Sequence, residues 1–455
     1  MAFVSELDYS IFRNRRDQVI DFLNRENTNL SFGAIILFAD FESDRSIFRQ
    51  ESSFYYLTGI VEPGAVLLMF LDGSQYLYLP NYGGVRERWT NTKVKIDKDV
   101  IQRAKELEFD ELRYLGEPVT GYSFNPVFTE KKYMHFLNDL KLFLSSSEPA
   151  GVTCHPGLDP GSKSLKKEIF TLLDLENNSR YFSQIQTFRI LLQIFPSLNK
   201  ITRDLAPVIH FLRRFKSEYE IDLIYKAIQV TSMAHEAAAK VIMPGRIEHE
   251  VQAIVESVFI QAGACGPAFP SIVATGKNTT VLHYIDRDHE LCPGDLVVVD
   301  IGAEYGYYAS DLTRTYPVSG KFTQEQLEIY NIVLNTQKYI ESVAKPGMFL
   351  NNSKIPEKSL NHLARKYLDN LGFAQYFAHG IGHFLGLDVH DVDTGMYPLA
   401  SGDVFTIEPG IYIPEKKLGI RIEDDYLMTD DGVVCLSFEL PRTAQEIEEL
   451  MKDID

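Results

Sequence analysis

At 455 residues the chain exceeds what one ordinary hydrophobic core accommodates, so two domains are expected before any motif is read. Apolar residues at 45% and charged residues at 24% place it among ordinary globular proteins. The 45 Lys and Arg against 63 Asp and Glu leave a formal charge of -18, which argues against nucleic acid as a partner and suits a site that collects cations.

The opening segment MAFVSELDYSIFRNRRDQVIDFL mixes Glu6, Asp8 and several arginines with apolar residues and lacks the unbroken apolar core of a secretory signal. Residues 12–30 carry apolar positions at helical spacing, and GAIILFA after them has the length of a strand. FYYLTGI, AVLLMFL and QYLYLP, punctuated by Pro63-Gly64 and Asp72-Gly73, read as strands joined by tight turns. An α/β domain over residues 1–180 is therefore expected. Within it, SSSEPAGVTCHPGLDPGSKS has the Pro-Gly pairs and serines of an exposed loop or insertion, with His155 a solvated loop residue.

Residues 181–215 are expected to link this domain to a second over residues 216–455. SEYEIDLIYKAIQVTSMAHEAAAKVI begins with acidic residues, as suits a helix N-terminus, and stops at Pro244-Gly245. A further helix, EHEVQAIVESVFIQAGA, leads into the strand-like SIVATG, DLVVVDIGAEY and YYASDLTRTYPV, then after a helical pair into VFTIEPGIYI and GIRIEDDYLM. Helices followed by antiparallel strands describe an α+β domain. No solenoid period is visible, and no run approaches the ~18 to 20 apolar residues of a membrane span. Cys154, Cys265, Cys292 and Cys435 form no CxxC pair and read as free thiols in a reducing compartment, with the cytoplasm the expected address.

Asp300 ends the apolar run LVVVD, and Asp311 follows in YYASDLTRT, so two strands of a hairpin can offer both carboxylates to one point. Each Asp alone has the bland reading of a turn residue. Glu408 in VFTIEPG and Glu423 in GIRIEDD lie among branched apolar residues, where an unpaired carboxylate is costly to bury. Arg421 points to the same face as Glu423 because strand side chains alternate, and it can neutralise one carboxylate but not four.

HGIGHFLGLDVHD carries His379, His383 and His390 among glycines that do not match GxGxxG, and no Lys follows as in a P-loop. The zinc-protease HExxH is absent, and the glycines between His379 and His383 oppose a helix. These histidines are expected on a loop aimed at a site. Four carboxylates and one histidine make a hard, anionic ligand set suited to Mn²⁺ first, with Co²⁺, Fe²⁺ or Zn²⁺ as alternatives. That is too many carboxylates for one ion, and two metals ~3.5 to 4 Å apart can hold a hydroxide between them that attacks a carbonyl.

The spacing and surroundings of Asp300, Asp311, His383, Glu408 and Glu423 resemble the metallopeptidase family with the pita-bread fold, which includes methionine aminopeptidase, prolidase, aminopeptidase P and the metal-free creatinases. HGIGHFLGLDVHD resembles its proline-handling branch, M24B. Methionine aminopeptidases carry a shorter motif and lack the large first domain, and creatinases lack the metal ligands. FRQESSFYYLTGIVEPG, FPSIVATGKNTTVLHY and DLTRTYPVSGKFTQEQLEIY resemble aminopeptidase P, the Xaa-Pro aminopeptidases, most of all. The departures are the Pro/Gly-rich stretch near residue 155 and a short connection from Pro346 to His379.

This resemblance implies a creatinase-like α/β N-terminal domain followed by an α+β pita-bread catalytic domain that hydrolyses the bond before a penultimate proline. It implies Asp300 as a ligand of one metal, Asp311 and Glu423 as bridging ligands, and His383 and Glu408 as completing the second. Glu408 would relay a proton, and His283 and His390 would stabilise the tetrahedral intermediate. Proline has no amide proton and a fixed φ, so a shaped pocket must replace strand-like docking. His379, Arg421 and Tyr412 resemble the lining of that pocket, and Trp89 an aromatic contributed by the first domain. Structural hydrogen bonding for the histidines and domain packing for Trp89 are the alternatives. Peptides with proline second as substrates, a homodimer or homotetramer, and no membrane partner complete the expectation. A prolidase confined to dipeptides and a catalytically silent peptide-binding relative stay open.

Overall fold

The computed structural model describes residues 7–26, 30–42, 47–82, 86–88, 94, 96, 99–118, 129–146, 166–173, 179–392 and 397–452. Trp89, Cys154, His155 and most of the Pro/Gly-rich stretch lie outside them. Two compact units divide between Leu212 and Arg213. Among the described residues no helix is long and apolar enough to cross a membrane, and Cys292 and Cys435 are free thiols.

In the N-terminal unit α1 (Ser10–Glu26) buries Phe12, Val19, Ile20 and Leu23 along one side, as their helical spacing requires. β1 (Leu30–Phe38) pairs antiparallel with β2 (Val66–Phe70), which follows α2 (Ser52–Thr58). β3 (Gln75–Leu79) extends the sheet antiparallel, and α3 (Val100–Glu106) returns the chain to β4 (Glu111–Tyr114), parallel to β3. α4 (Met134–Ser145) precedes β5 (Lys166–Thr171), which joins the other side of β1 in parallel. Residues 181–215, expected as a linker, hold α5 (Phe182–Ile194), α6 (Leu198–Ile201), the edge strand β6 (Thr202–Asp204) and α7 (Ala206–Arg214). The reason is a helical period: Gln184, Thr187, Phe188 and Leu191 recur on one face of α5 and are buried. The sheet order is β4-β3-β2-β1-β5-β6, a mixed α/β layer.

The C-terminal unit opens with α8 (Glu218–Val241), where the Glu220 carboxylate accepts from Ser217 N at 2.9 Å as an N-terminal cap, and α9 (Glu248–Gln261). The small faces of α8 at Ala234 and Ala238 pack in one core with Val251, Val255 and Phe259 of α9. β7 (Gly266–Pro267), β8 (Ile272–Thr275), β9 (Leu296–Ile301), β10 (Ala303–Tyr305), β11 (Tyr308–Ala309) and β12 (Leu312–Pro317) follow. β9 is buried on both faces, which matches its unbroken apolar sequence, and lies between β8 and β12. α10 (Gln324–Val343) and α11 (Leu360–Asn370) come next, so the connection from Pro346 to His379 holds a helix. β13 (Val404–Ile407) pairs with β16 (Asp424–Thr429), which pairs with β17 (Gly432–Cys435); β14 (Gly410–Ile413) and β15 (Leu418–Arg421) form a hairpin, and α12 (Ala444–Leu450) closes the chain. Every strand pair of this unit is antiparallel, so an α/β unit is followed by an α+β unit, as expected.

Candidate active site and metal centre

The strand ladder carries the acidic residues to one place. Asp300 lies opposite Thr313 in the β9–β12 register, and Thr313 forms a bridge with Glu423 just beyond β15. Asp311 stands one residue before β12, and Glu408 lies between β13 and β14. Their side chains line a cavity of about 510 Å³ together with His283, His379, His383, His390 and Arg421. Phe269, Pro270, Ile272, Leu282, Ile285 and Val389 form its apolar wall.

His379, His383 and His390 sit on the loop between α11 and β13, as the glycines require. At Gly382 an added Cβ would stand 2.0 Å from the Thr406 carbonyl oxygen, so only glycine allows this approach to β13. Thr406 in turn fixes the loop, accepting from His383 N at 3.1 Å and returning its own N–H to the His383 carbonyl at 2.9 Å. His383 Nδ1–H donates to the Phe384 carbonyl at 3.1 Å, which turns Nε2 toward the acids. Nε2 is 3.3 Å from Asp311 Oδ2 and 3.9 Å from both Glu408 Oε1 and Glu423 Oε1.

Among the described residues of the cavity, Asp300 and Arg421 form the one arginine–carboxylate pair, with Nη2 donating to Oδ2 at 2.6 Å. Arg421 Nη1 donates to Tyr412 Oη at 2.7 Å, and Tyr412 Oη stands 2.7 Å from His379 Nε2. Because Arg421 can only donate, the tyrosine proton goes to His379 Nε2, and His379 Nδ1–H donates to the Gly380 carbonyl at 2.7 Å. Burial, helped by the charge of Arg421, lowers His379 to about 3, in keeping with that neutral tautomer. Tyr412 is pushed up to about 12 by burial and stays a phenol.

Asp300 Oδ1, Asp311 Oδ1 and Glu423 Oε1 are buried with no hydrogen-bond partner among the described residues. Orphaned carboxylate oxygens carry a desolvation penalty that nothing in the protein offsets. Burial, reinforced by the neighbouring carboxylates, holds Asp311 and Glu423 well above the usual carboxylate range. Burial also pushes Glu408 up to about 7, against the opposing pull of His383 and Arg421. Unsatisfied oxygens, a turned imidazole nitrogen and one arginine among four acids are the chemistry of a divalent-cation site, and Asp311, His383 and Glu423 alone bring three ligand atoms within 4.8 Å of one another. The residues present fit such ions.

Residues 222–430 match the model of metallopeptidase family M24, and residues 12–117 match the aminopeptidase P N-terminal domain. The Xaa-Pro aminopeptidase of Haemophilus influenzae is 30% identical over 99% of both chains. This chain belongs to the aminopeptidase P branch of the M24 metallopeptidases. Escherichia coli aminopeptidase P, solved in complex with substrate, superposes with a TM-score of 0.76 at 27% identity over 98% of this chain and 99% of that one. The Xaa-Pro dipeptidase of Pyrococcus furiosus is 42% identical, but over 50% of this chain and 65% of its own length. As an aminopeptidase P relative, the chain is a metallo-aminopeptidase.

The structure gathers nearly all the residues that the sequence nominated. Tyr412 lies just behind the cavity and reaches it through His379 and Arg421, while Trp89 lies outside the described residues. Sequence reasoning passed over Thr313. Its buried hydroxyl donates to Glu423 Oε2 at 2.7 Å and accepts from Arg421 Nε at 3.3 Å, tying ligand to guanidinium. In LTRTYP it is one β-branched strand residue among several, and only the cross-strand register distinguishes it.

Proposed function

We propose that this aminopeptidase hydrolyses the bond between an N-terminal residue and a penultimate proline, with two divalent cations held by Asp300, Asp311, His383, Glu408 and Glu423. The observation that carries the reading is the convergence of those five side chains, three of them with orphaned oxygens, beside the chain of bonds from His379 through Tyr412 and Arg421 to Asp300. Asp300 would hold one ion, His383 and Glu408 would hold the other, and Asp311 and Glu423 would serve both. The oxygen-rich set supports Mn²⁺, with Co²⁺, Fe²⁺ or Zn²⁺ as competitors. When bound, such ions supply positive charge to a substrate oxygen and make water nucleophilic at neutral pH.

The residues of the chain do the rest. Glu408, pushed up to about 7 and 3.4 Å from His379, is placed to take a proton from the attacking water and pass it to the leaving proline nitrogen. His283 and His390 face the same cavity and steady the oxyanion of the tetrahedral intermediate by hydrogen bonding. His379 and Arg421, held rigid by Tyr412, form the polar wall that receives proline, whose missing N–H forbids strand-like docking.

The likeness to a dipeptidase over 50% of the chain motivates a second reading, in which only Xaa-Pro dipeptides are cut. The full-length match to aminopeptidases supports the first. Supplying Mn²⁺ and comparing Xaa-Pro-Yaa tripeptides with Xaa-Pro dipeptides separates them: tripeptide cleavage is expected, activity confined to dipeptides selects prolidase, and none with any divalent ion selects a silent relative. The exposed free thiol of Cys292 supports a cytoplasmic address, since reducing compartments keep such thiols unpaired. Assembly as a homodimer or homotetramer follows from the resemblance, and sedimentation velocity tests it.

A further inference from the structure

Glu248, the first residue of α9, is fully buried, yet among the described residues its carboxylate pairs with no Lys or Arg, and it does not line the cavity. Its Oε1 accepts from Thr275 N at 2.8 Å and Asn278 Nδ2 at 3.1 Å. Its Oε2 accepts from Tyr284 Oη at 2.8 Å and His289 N at 3.1 Å. With Asp288 and His289 it makes a second group of ligand-type residues, but these four donors already occupy its oxygens, so it is not a cation site.

The donors are spread along one arm, from the end of β8 at Thr275 through Asn278 and Tyr284 to His289, the segment that carries His283. The backbone ties the same arm to the helix: Glu248 N donates to the His289 carbonyl at 3.0 Å and His249 N to the Arg287 carbonyl at 3.2 Å. Along the arm, Leu282, His283 and Ile285 line the catalytic cavity, whereas Tyr284 is buried and turns away to Glu248. Burial first and then Glu248 raise Tyr284 above the usual phenol range, so its hydroxyl keeps the proton it donates.

We propose that Glu248 is a positioning residue for the reaction: by fixing Tyr284 on the far side of the arm, it holds His283 toward the substrate. The proposal rests on the reading of His283 as a group that touches the reacting carbonyl. A buried Glu248 variant can fail to fold, so Tyr284→Phe, which removes a single hydroxyl, is the informative change.

In Mn²⁺-loaded enzyme acting on an Xaa-Pro-Yaa tripeptide, Tyr284→Phe is expected to lower kcat about tenfold, the size of one bond to a charged acceptor. In a His283→Ala background the same change is expected to have no further effect, because both act through one group. Equal losses in the two backgrounds, or no loss in the first, overturn the proposal. Amide hydrogen exchange on the metal-free protein gives a second readout that needs no substrate. Residues 282–289 should exchange faster in Tyr284→Phe while α8 and α10 do not change, and unchanged exchange in the arm also overturns the proposal. If the wild-type enzyme cleaves no proline peptide while the arm still loosens, the substrate reading fails and the latch stands.

Discussion

Arg421 donates to Asp300 across 2.6 Å, and among the described residues it is the one guanidinium lining a cavity that Asp300 shares with Asp311, Glu408 and Glu423. One cation among four carboxylates leaves most of the negative charge without a partner, and that imbalance is what divalent ions would correct. Removing Arg421 should therefore be felt in stability as well as in catalysis. Arg421→Met leaves Asp300 Oδ2 and Tyr412 Oη without their donor, and breaking a buried pair costs roughly 3–5 kcal/mol. A lower urea midpoint for the metal-free variant than for the metal-free wild type is expected. An unchanged midpoint contradicts the structural weight given to the pair.

Glu408 carries the proton in the proposed reaction. Glu408→Ala should lower kcat by about 10²-fold or more, the usual contribution of a general base, with circular dichroism unchanged. A variant retaining near-full rate removes Glu408 from the relay.

Thr313 is the residue that joins Arg421 to Glu423. Thr313→Val keeps the β-branched shape and deletes the hydroxyl, which should destabilise the protein by about 1–3 kcal/mol. It should also weaken Mn²⁺ binding roughly 10- to 100-fold, as loss of a group bracing a metal ligand does. Calorimetric titration measures the second effect, and wild-type affinity in the variant shows that Glu423 does not depend on Thr313.

What the sequence revealed and what it concealed divide along physical lines. Glu408 and Glu423 were legible because a carboxylate among branched apolar residues needs a reason to be there, and Asp300 because a hairpin sets it beside Asp311. The glycines around His383 were legible because they oppose a helix. Thr313 and Thr406 were not, since a threonine in a strand is ordinary until register sets it beside a ligand. Glu248 reads as one more acid in the first turn of a helix, where the dipole favours it, and its four donors come from residues 27 to 41 positions away. The helix over Phe182–Ile194 was hidden because Gln184 and Thr187 occupy its buried face, diluting the apolar period.

The central claim is a pair of cations held by these five side chains. Crystals grown with Mn²⁺ and measured on both sides of the manganese absorption edge test it directly. The account predicts two anomalous peaks ~3.5 to 4 Å apart, enclosed by Asp300, Asp311, His383, Glu408 and Glu423. No peak among those residues, or manganese bound only elsewhere, would contradict it.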